Sequence, residues 1–203
     1  LAGRRKLVDA DRYIRFGNWE KNGNFEYVHN VHSSKIGILG LGRIGLEIAT
    51  RCAAFKMDIG YHQRTKKPDV KFKYYENLLD MAKECEILVA IIPGGESTKG
   101  LINESIIEAI GPTGLLVNVA RGTVVDNEAL ARCLKDGRIG GAALDVFPEE
   151  PKVPKSLLEI ETNLILTPHM ASATHLTRMK MGMILYDNLK ALTNRTPFTT
   201  LIN

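Results

Sequence analysis

The sequence predicts an α/β fold, an open and doubly wound parallel sheet flanked by helices. Three observations carry that prediction. From Lys35 onward, short apolar runs alternate with stretches of helical periodicity. The runs are apolar at consecutive positions, as strands covered on both faces are, rather than alternating apolar and polar. Gly-Pro and Glu-Glu-Pro clusters mark the connections, and the helical stretches suit crossovers between parallel strands.

The elements follow in chain order. Leu7, Ala10, Asp11 and Ile14 are spaced for one face of a helix that is already under way at Leu1, so the chain is expected to start inside an element. Gly17–Ser34 is polar and aromatic with weak periodicity, and is expected to be a linker or an irregular excursion. Ile36–Leu39 reads as a strand, a glycine loop follows, and a helix is expected from about Arg43 to Phe55. Met57–Tyr61 and Ile87–Ile92 are the next strands, Ile102–Ile110 a helix, and Leu115–Val119 a strand. A helix is predicted over Asn127–Lys135, with Asp126 as its N-cap and Gly137 as its closing glycine. Ile139–Leu144 and Leu164–Leu166 complete the strands, and Thr174 caps a last helix that runs to about Leu192.

Composition limits the classes available. With 203 residues the chain holds one domain or one and a fraction, enough to bury a sizeable core. The formal charge of +4 is too mild to argue for nucleic acid, yet suits anionic small molecules. Arg4, Arg5 and Lys6 read as a solvated cationic helix face. Cys52, Cys85 and Cys133 lie far apart, and their odd number points to a reducing cytoplasmic compartment. No apolar run has transmembrane length and no leader pattern opens the chain, so neither membrane nor secretion is expected. His29 and His32 have metal-like spacing without further ligands, and no metal site is expected.

Gly40-Leu41-Gly42-Arg43-Ile44-Gly45 is G-x-G-x-x-G between an apolar strand and a helix. In that setting the pattern is a dinucleotide fingerprint of Rossmann type. The first glycine permits the turn, the second lets main chain approach a pyrophosphate, and the third lets helix and strand pack closely. The helix start offers free N–H groups to phosphate, and Arg43 adds a charge beside Ile44. The second strand ends in His62-Gln63-Arg64-Thr65-Lys66-Lys67, where an NAD-selective domain carries a carboxylate for the ribose hydroxyls. Arg64 is therefore expected to fork onto a 2′-phosphate, Thr65 to donate to it and Lys66 to add charge, with Gln63 also at the cofactor, NADP(H) preferred and NAD(H) possible.

Three residues stand past strand ends, where open parallel sheets bind ligands. They are Arg121 in Asn118–Gly122, Glu150 in Leu144–Pro151, and His169 in Leu166–Ser172. With Gly40–Gly45, Asn118–Gly122, Gly140–Pro151 and Thr167–Thr174, and with the spacing from Arg121 to Glu150 to His169, the chain resembles the D-isomer-specific 2-hydroxyacid dehydrogenases over essentially its whole length. Ile92-Pro93-Gly94-Gly95 and His169–Thr174 resemble a bacterial branch of the glyoxylate/hydroxypyruvate reductases within that family.

The resemblance implies hydride transfer from a nicotinamide cofactor to a small 2-keto acid, giving the 2-hydroxy acid. It implies Arg121 as the anchor for the keto acid, His169 as the proton donor, and Glu150 as its partner, favouring the imidazolium. It places Asp145 at the nicotinamide carboxamide, and Pro93, Val119, Ala120, Arg121, His169 and Ser172 along the cofactor cleft. The implied organisation is a remnant of an interdomain and dimer helix at 1–34, a dinucleotide-binding domain at 35–173, and at 174–203 a helix returning to a mostly absent substrate domain. An upstream segment of roughly a hundred residues is expected to be missing, and the full-length protein to be a homodimer. Two other readings remain open. One is an NAD-linked member such as a phosphoglycerate, formate or D-lactate dehydrogenase, and the other a dinucleotide-sensing corepressor. The basic loop disfavours the NAD-linked members, and the Glu150 and His169 pair disfavours formate oxidation.

Overall fold

Runs of isoleucine, leucine and valine at consecutive positions lose free energy wherever either strand face meets water, so each strand needs cover on both sides. The structure, a computed structural model that describes residues 1–200, meets that demand with seven parallel strands between helices. The strands are β1 (Lys35–Leu39), β2 (Asp58–His62), β3 (Lys73–Tyr75), β4 (Ile87–Ala90), β5 (Leu115–Asn118), β6 (Gly141–Leu144) and β7 (Leu164–Leu166). The helices are α1 (Leu7–Arg15), α2 (Asn18–Asn22), α3 (Arg43–Ala54), α4 (Leu78–Glu84), α5 (Glu104–Ile110), α6 (Asn127–Lys135), α7 (Lys155–Leu158) and α8 (His175–Asn194). Compact packing divides the chain into two units, Leu1–Thr167, which holds the whole sheet, and the remainder from Pro168, which holds α8.

The sheet order is β3-β2-β1-β4-β5-β6-β7. The chain moves outward from β1 through β2 to β3, then crosses back to the other side of β1 at β4. That reversal opens a crevice at the carboxyl ends of β1 and β4, where doubly wound sheets receive ligands. The register fixes what borders it, because Leu39 pairs with His62 on one side and Ala90 on the other. The glycine loop, the basic loop and Ile91–Gly95 therefore leave the sheet side by side.

Adjacent strand residues feed opposite cores. Ile38, Ile59, Tyr61 and Val89 pack with Ala49 of α3 on one face. Leu39, Leu88, Leu116 and Leu144 pack with Met81 of α4, Ile107 of α5 and Leu130 of α6 on the other. The short edge strand β3 and the helices α2, α4 and α7 were not apparent from periodicity. α4 is only seven residues long, but Asn77 accepts a hydrogen bond from the Leu79 amide (2.7 Å) and so caps it, and Leu78, Met81 and Ala82 are buried. Asp126 and Thr174 cap α6 and α8 as expected, accepting from Ala129 N (3.0 Å) and Thr177 N (3.1 Å). Gly137 has the left-handed φ of 67° that ends α6. Several strand limits differ from expectation: β4 stops at Ala90, β6 starts at Gly141, and Ile91, Ile92 and Ile139 lie in connections. All three cysteines are free, and burial pushes the Cys85 thiol up to about 12.

Arg4 is a correction to the sequence reading. It is 6% exposed rather than part of a solvated face. Its Nε donates to Asn30 O (3.1 Å), its Nη1 to Thr113 O (2.8 Å), and its Nη2 pairs with the Glu86 carboxylate. The other Glu86 oxygen accepts from Lys35 N (3.1 Å). One guanidinium thereby ties the N-terminal segment to the amino ends of β1, β4 and β5, which a planar fork of donors can do and a solvated lysine cannot. The irregular excursion is tied to α1 at Tyr13, which meets Phe25 edge to face at 5.2 Å and whose hydroxyl donates to Gly23 O (3.0 Å). Arg4→Met is expected to cost about 1–3 kcal/mol in urea unfolding by removing three charge-assisted hydrogen bonds of a buried guanidinium, with Arg4→Lys recovering only part. A loss within about 0.5 kcal/mol of wild type would contradict the staple.

Candidate functional site

The glycine loop joins β1 to α3, and each of its glycines is used differently. Gly40 has φ 98°, and a Cβ there would meet Ile92 Cγ2 at 2.6 Å and Ile91 O at 2.8 Å. A Cβ on Gly45 would sit 2.1 Å from Gly40 O, so this glycine allows the first turn of α3 to lie on the strand end. A Cβ on Gly42 would find nothing within 4 Å. Gly42 thus borders open space at the amino end of α3, where unpaired N–H groups and helix dipole favour an anion. Arg43 and Ile44 flank it in solvent, with Ile44 62% exposed although apolar.

The basic loop after β2 is held by uncharged groups, leaving its charges free. Gln63 Oε1 accepts from Leu41 N (3.1 Å), and Gln63 Nε2 donates to Thr65 O (2.6 Å). Tyr74 donates to Gln63 O (3.1 Å), and the buried Tyr61 hydroxyl accepts from Lys67 N (3.0 Å). Gln63 is therefore occupied in tying the basic loop to the glycine loop. The exposed side chains of Arg64, Thr65 and Lys66 have no hydrogen-bond or ion-pair partner among the described residues.

Beyond the crevice, the loops after β4, β5 and β6 converge. Arg121 follows β5 in extended conformation (φ −140°, ψ 148°), and its Nη1 donates to Ala120 O (2.6 Å). No carboxylate among the described residues pairs with it. Its loop is shaped by Asn118, a buried residue whose Oδ1 accepts from Ala120 N (3.0 Å) and whose Nδ2 donates to Arg121 O (3.1 Å). Asn127 Nδ2 donates to Gly122 O (3.1 Å) and Val125 O (2.9 Å) from the far side. A Cβ on Gly122 would lie 1.9 Å from Phe147 C, so the Arg121 loop rests directly on the main chain that leads to Glu150. Glu150 Oε1 accepts from Phe147 N (2.9 Å) within that loop. Asp145, at the end of β6, is buried and accepts from Thr167 Oγ1 (2.5 Å), joining the ends of β6 and β7.

Pro93 stands exposed three residues beyond β4, while Val119 and Ala120 immediately follow β5. His169 and Ser172 belong to the second unit, in the turn before α8. His169 has a left-handed φ of 50°, uncommon for a residue with a Cβ and a conformation that clusters at functional sites. Sequence reasoning gave no role to Asn118, Asn127 or Gly122. An Asn closing an apolar run and followed by a turn was the available signal for the first. Glu104, Glu108 and Cys133 also lie near one another, but Arg138 and Arg132 already pair with the carboxylates and hold Glu104 below its usual range.

The strand order and the glycine loop define a dinucleotide-binding domain of the Rossmann type. The family model for the "D-isomer specific 2-hydroxyacid dehydrogenase, NAD binding domain" matches residues 1–171, and the chain belongs to that family. It is 44% identical over 191 residues to glyoxylate/hydroxypyruvate reductase A of Arabidopsis thaliana, covering 94% of this chain and 60% of that one. It is 40% identical over 211 residues to the glyoxylate reductase of Thermococcus onnurineus, covering 100% and 63%. Among solved structures it matches the NADPH-dependent glyoxylate/hydroxypyruvate reductase of Sinorhizobium meliloti, in complex with NADP and malonate, at 41% identity and a TM-score of 0.91, over 100% of this chain and 63% of that one. The chain thus spans 60 to 63% of the length of these relatives. No described helix is long and apolar enough to cross a membrane.

Gly122→Ala tests the loop junction. Overpacking main chain against main chain is expected to cost about 3 kcal/mol, or roughly 6–12 °C in thermal midpoint for a chain of this size. An unchanged midpoint would show that the two loops are free to separate.

Proposed function

We propose that the protein carrying this chain reduces small 2-keto acids, glyoxylate and hydroxypyruvate foremost, with NADPH as hydride donor. The observation that carries this reading is the meeting of the β4, β5 and β6 loops beside a glycine loop, with Arg121 presented there exposed and paired with no carboxylate among the described residues. The named relatives support the substrate class, and the Sinorhizobium structure with NADP supports the cofactor.

The residues fit a dinucleotide. The open space at Gly42 and the start of α3 suit a pyrophosphate, and Arg43 adds a cation. Arg64, Thr65 and Lys66 suit a 2′-phosphate, which a carboxylate at this strand end would repel. In this reading Pro93, Val119, Ala120 and Ser172 meet the remainder of the dinucleotide, and Asp145 its carboxamide end. When bound, the cofactor supplies a hydride to the carbonyl carbon. Arg121 binds the keto acid through its carboxylate and carbonyl oxygens and polarises the carbonyl. His169 gives a proton to the carbonyl oxygen, and Glu150 acts as its partner.

Self-association also belongs to this reading. α1, α2 and their flanks expose Ile14, Phe16, Trp19 and Tyr27, an apolar surface of the kind that subunit contacts bury. A homodimer in light scattering of the full-length protein is the expected state.

Cofactor preference is read by titration, following fluorescence of the reduced nucleotide. NADPH is expected to bind about ten- to a hundred-fold more tightly than NADH, from charged hydrogen bonds worth about 1.5–3 kcal/mol, and Arg64→Ala should remove most of the difference. Equal affinities for the two nucleotides would overturn the assignment of the basic loop. In the full-length enzyme, His169→Ala and Glu150→Ala should each lower kcat by about 10²–10⁴ while NADPH affinity is kept. Retention of kcat in His169→Ala would remove it as the proton donor.

A further inference from the structure

Two adjacent glycines follow Pro93, and the structure separates their purposes. Gly95 has φ 136°, and a Cβ there would touch nothing within 4 Å, so its backbone conformation alone calls for glycine. Gly94 does not have a positive φ, so its own backbone admits a side chain. Its neighbour does not. A Cβ on Gly94 would stand 2.7 Å from Arg121 Cγ and 3.1 Å from Arg121 Cβ. These are the root of the arginine side chain, not its adaptable guanidinium end.

The root has no room to retreat. Arg121 O and Ala120 N are bound by the Asn118 amide, and the next residue, Gly122, lies against the Phe147 main chain. A side chain at position 94 would therefore turn the arginine about its first torsions, moving the guanidinium by far more than the atoms that clash. We propose that Gly94 is a positioning residue for Arg121: the side chain it lacks leaves the slot in which the arginine stem lies, and this sets where the guanidinium meets the 2-keto acid. The inference rests on the reading of Arg121 as the substrate anchor. It assigns Gly94 no contact with substrate or cofactor.

The test is a double-mutant cycle in the full-length protein, using Gly94→Ala, Arg121→Ala and the pair, with glyoxylate and NADPH as probes. Gly94→Ala should raise KM for glyoxylate or lower kcat/KM by about ten- to a hundred-fold, the scale of a misplaced anchor, while the Kd for NADPH stays within about twofold. In the Arg121→Ala background the same substitution should change kcat/KM by less than about twofold, because the stem it displaces is gone. Wild-type kinetics for Gly94→Ala, or an equal loss in both backgrounds, would overturn the positioning role while leaving Arg121 as anchor. Full turnover by Arg121→Ala would overturn the reading of Arg121 itself, and the role of Gly94 with it. Should Gly94→Ala fail to fold, thermal melting reads the same coupling. Recovery of folded protein in the Arg121→Ala background supports the proposal, and failure in both backgrounds overturns it.

Discussion

Main chain packed directly on main chain at one edge of the sheet is the constraint from which the rest of this molecule follows. Parallel strands lie about 4.8 Å apart and all point the same way, so their outgoing loops crowd onto a single edge. Loops with side chains at every crossing do not fit there. At Gly45 a Cβ would meet a carbonyl oxygen at 2.1 Å, and at Gly122 a carbonyl carbon at 1.9 Å. These two absences bring the α3 start onto the β1 end and the Arg121 loop onto the Glu150 loop. Gly42 differs, because its missing side chain faces open space rather than protein. Crowded glycines build the edge, while Gly42 leaves room on it for something else.

Polar residues at this edge divide by the same logic. Asn118, Asn127 and Asp145 are buried, and each hydrogen bond described for them goes to neighbouring loop or strand-end groups. A buried amide or carboxylate left without partners would cost more than it contributes, so these groups are satisfied internally. Gln63 does the same work at the partly exposed end of β2. The cations Arg43, Arg64, Lys66 and Arg121 have no carboxylate partner among the described residues. Elsewhere on the surface Arg51, Arg132, Lys135 and Arg138 are paired with carboxylates. A mild overall charge thus becomes a locally positive edge by pairing cations elsewhere and leaving them unpaired here, which favours an anionic ligand.

Strand and helix order, the glycine loop and the caps Asp126 and Thr174 were legible because each is written in a few neighbouring residues. What was not legible depended on distance or on short length. β3 has three residues, and α4 only two turns, too few for a periodic signal to rise above its neighbours. Arg4 sits in a run of three cations that reads as solvated, and nothing local names Glu86 or Thr113 as its partners. At the site, the places of Arg121 and Glu150 past the ends of β5 and β6 were legible from their motifs, but Asn118 was overlooked because an amide at a strand end looks like ordinary turn chemistry. Gly94 was read only as part of a motif, since its meaning lies in an arginine that another strand delivers. A glycine inside a local pattern, such as Gly40 or Gly45, can be read from sequence, whereas one whose neighbour comes from another strand, such as Gly94, cannot.

The two edges of the sheet carry opposite duties. At the amino edge Arg4, Glu86 and the Lys35 amide draw the strand starts together, and the guanidinium faces protein on all sides. At the carboxyl edge Arg43, Arg64, Lys66 and Arg121 are left exposed, and the loops rest on one another main chain to main chain. A ligand site needs unpaired donors and open space, which are the features that weaken a fold when left in water. Placing them at the edge opposite the staple lets the core transmit stability from one end of the strands to the other, through Leu39, Leu88, Leu116 and Leu144. Strands only three to five residues long suffice for this, since the hydrogen-bonded ladder and the two apolar faces make the sheet a rigid spacer. The carboxyl edge can then keep exposed cations and open space because the opposite edge and the core between them are closed.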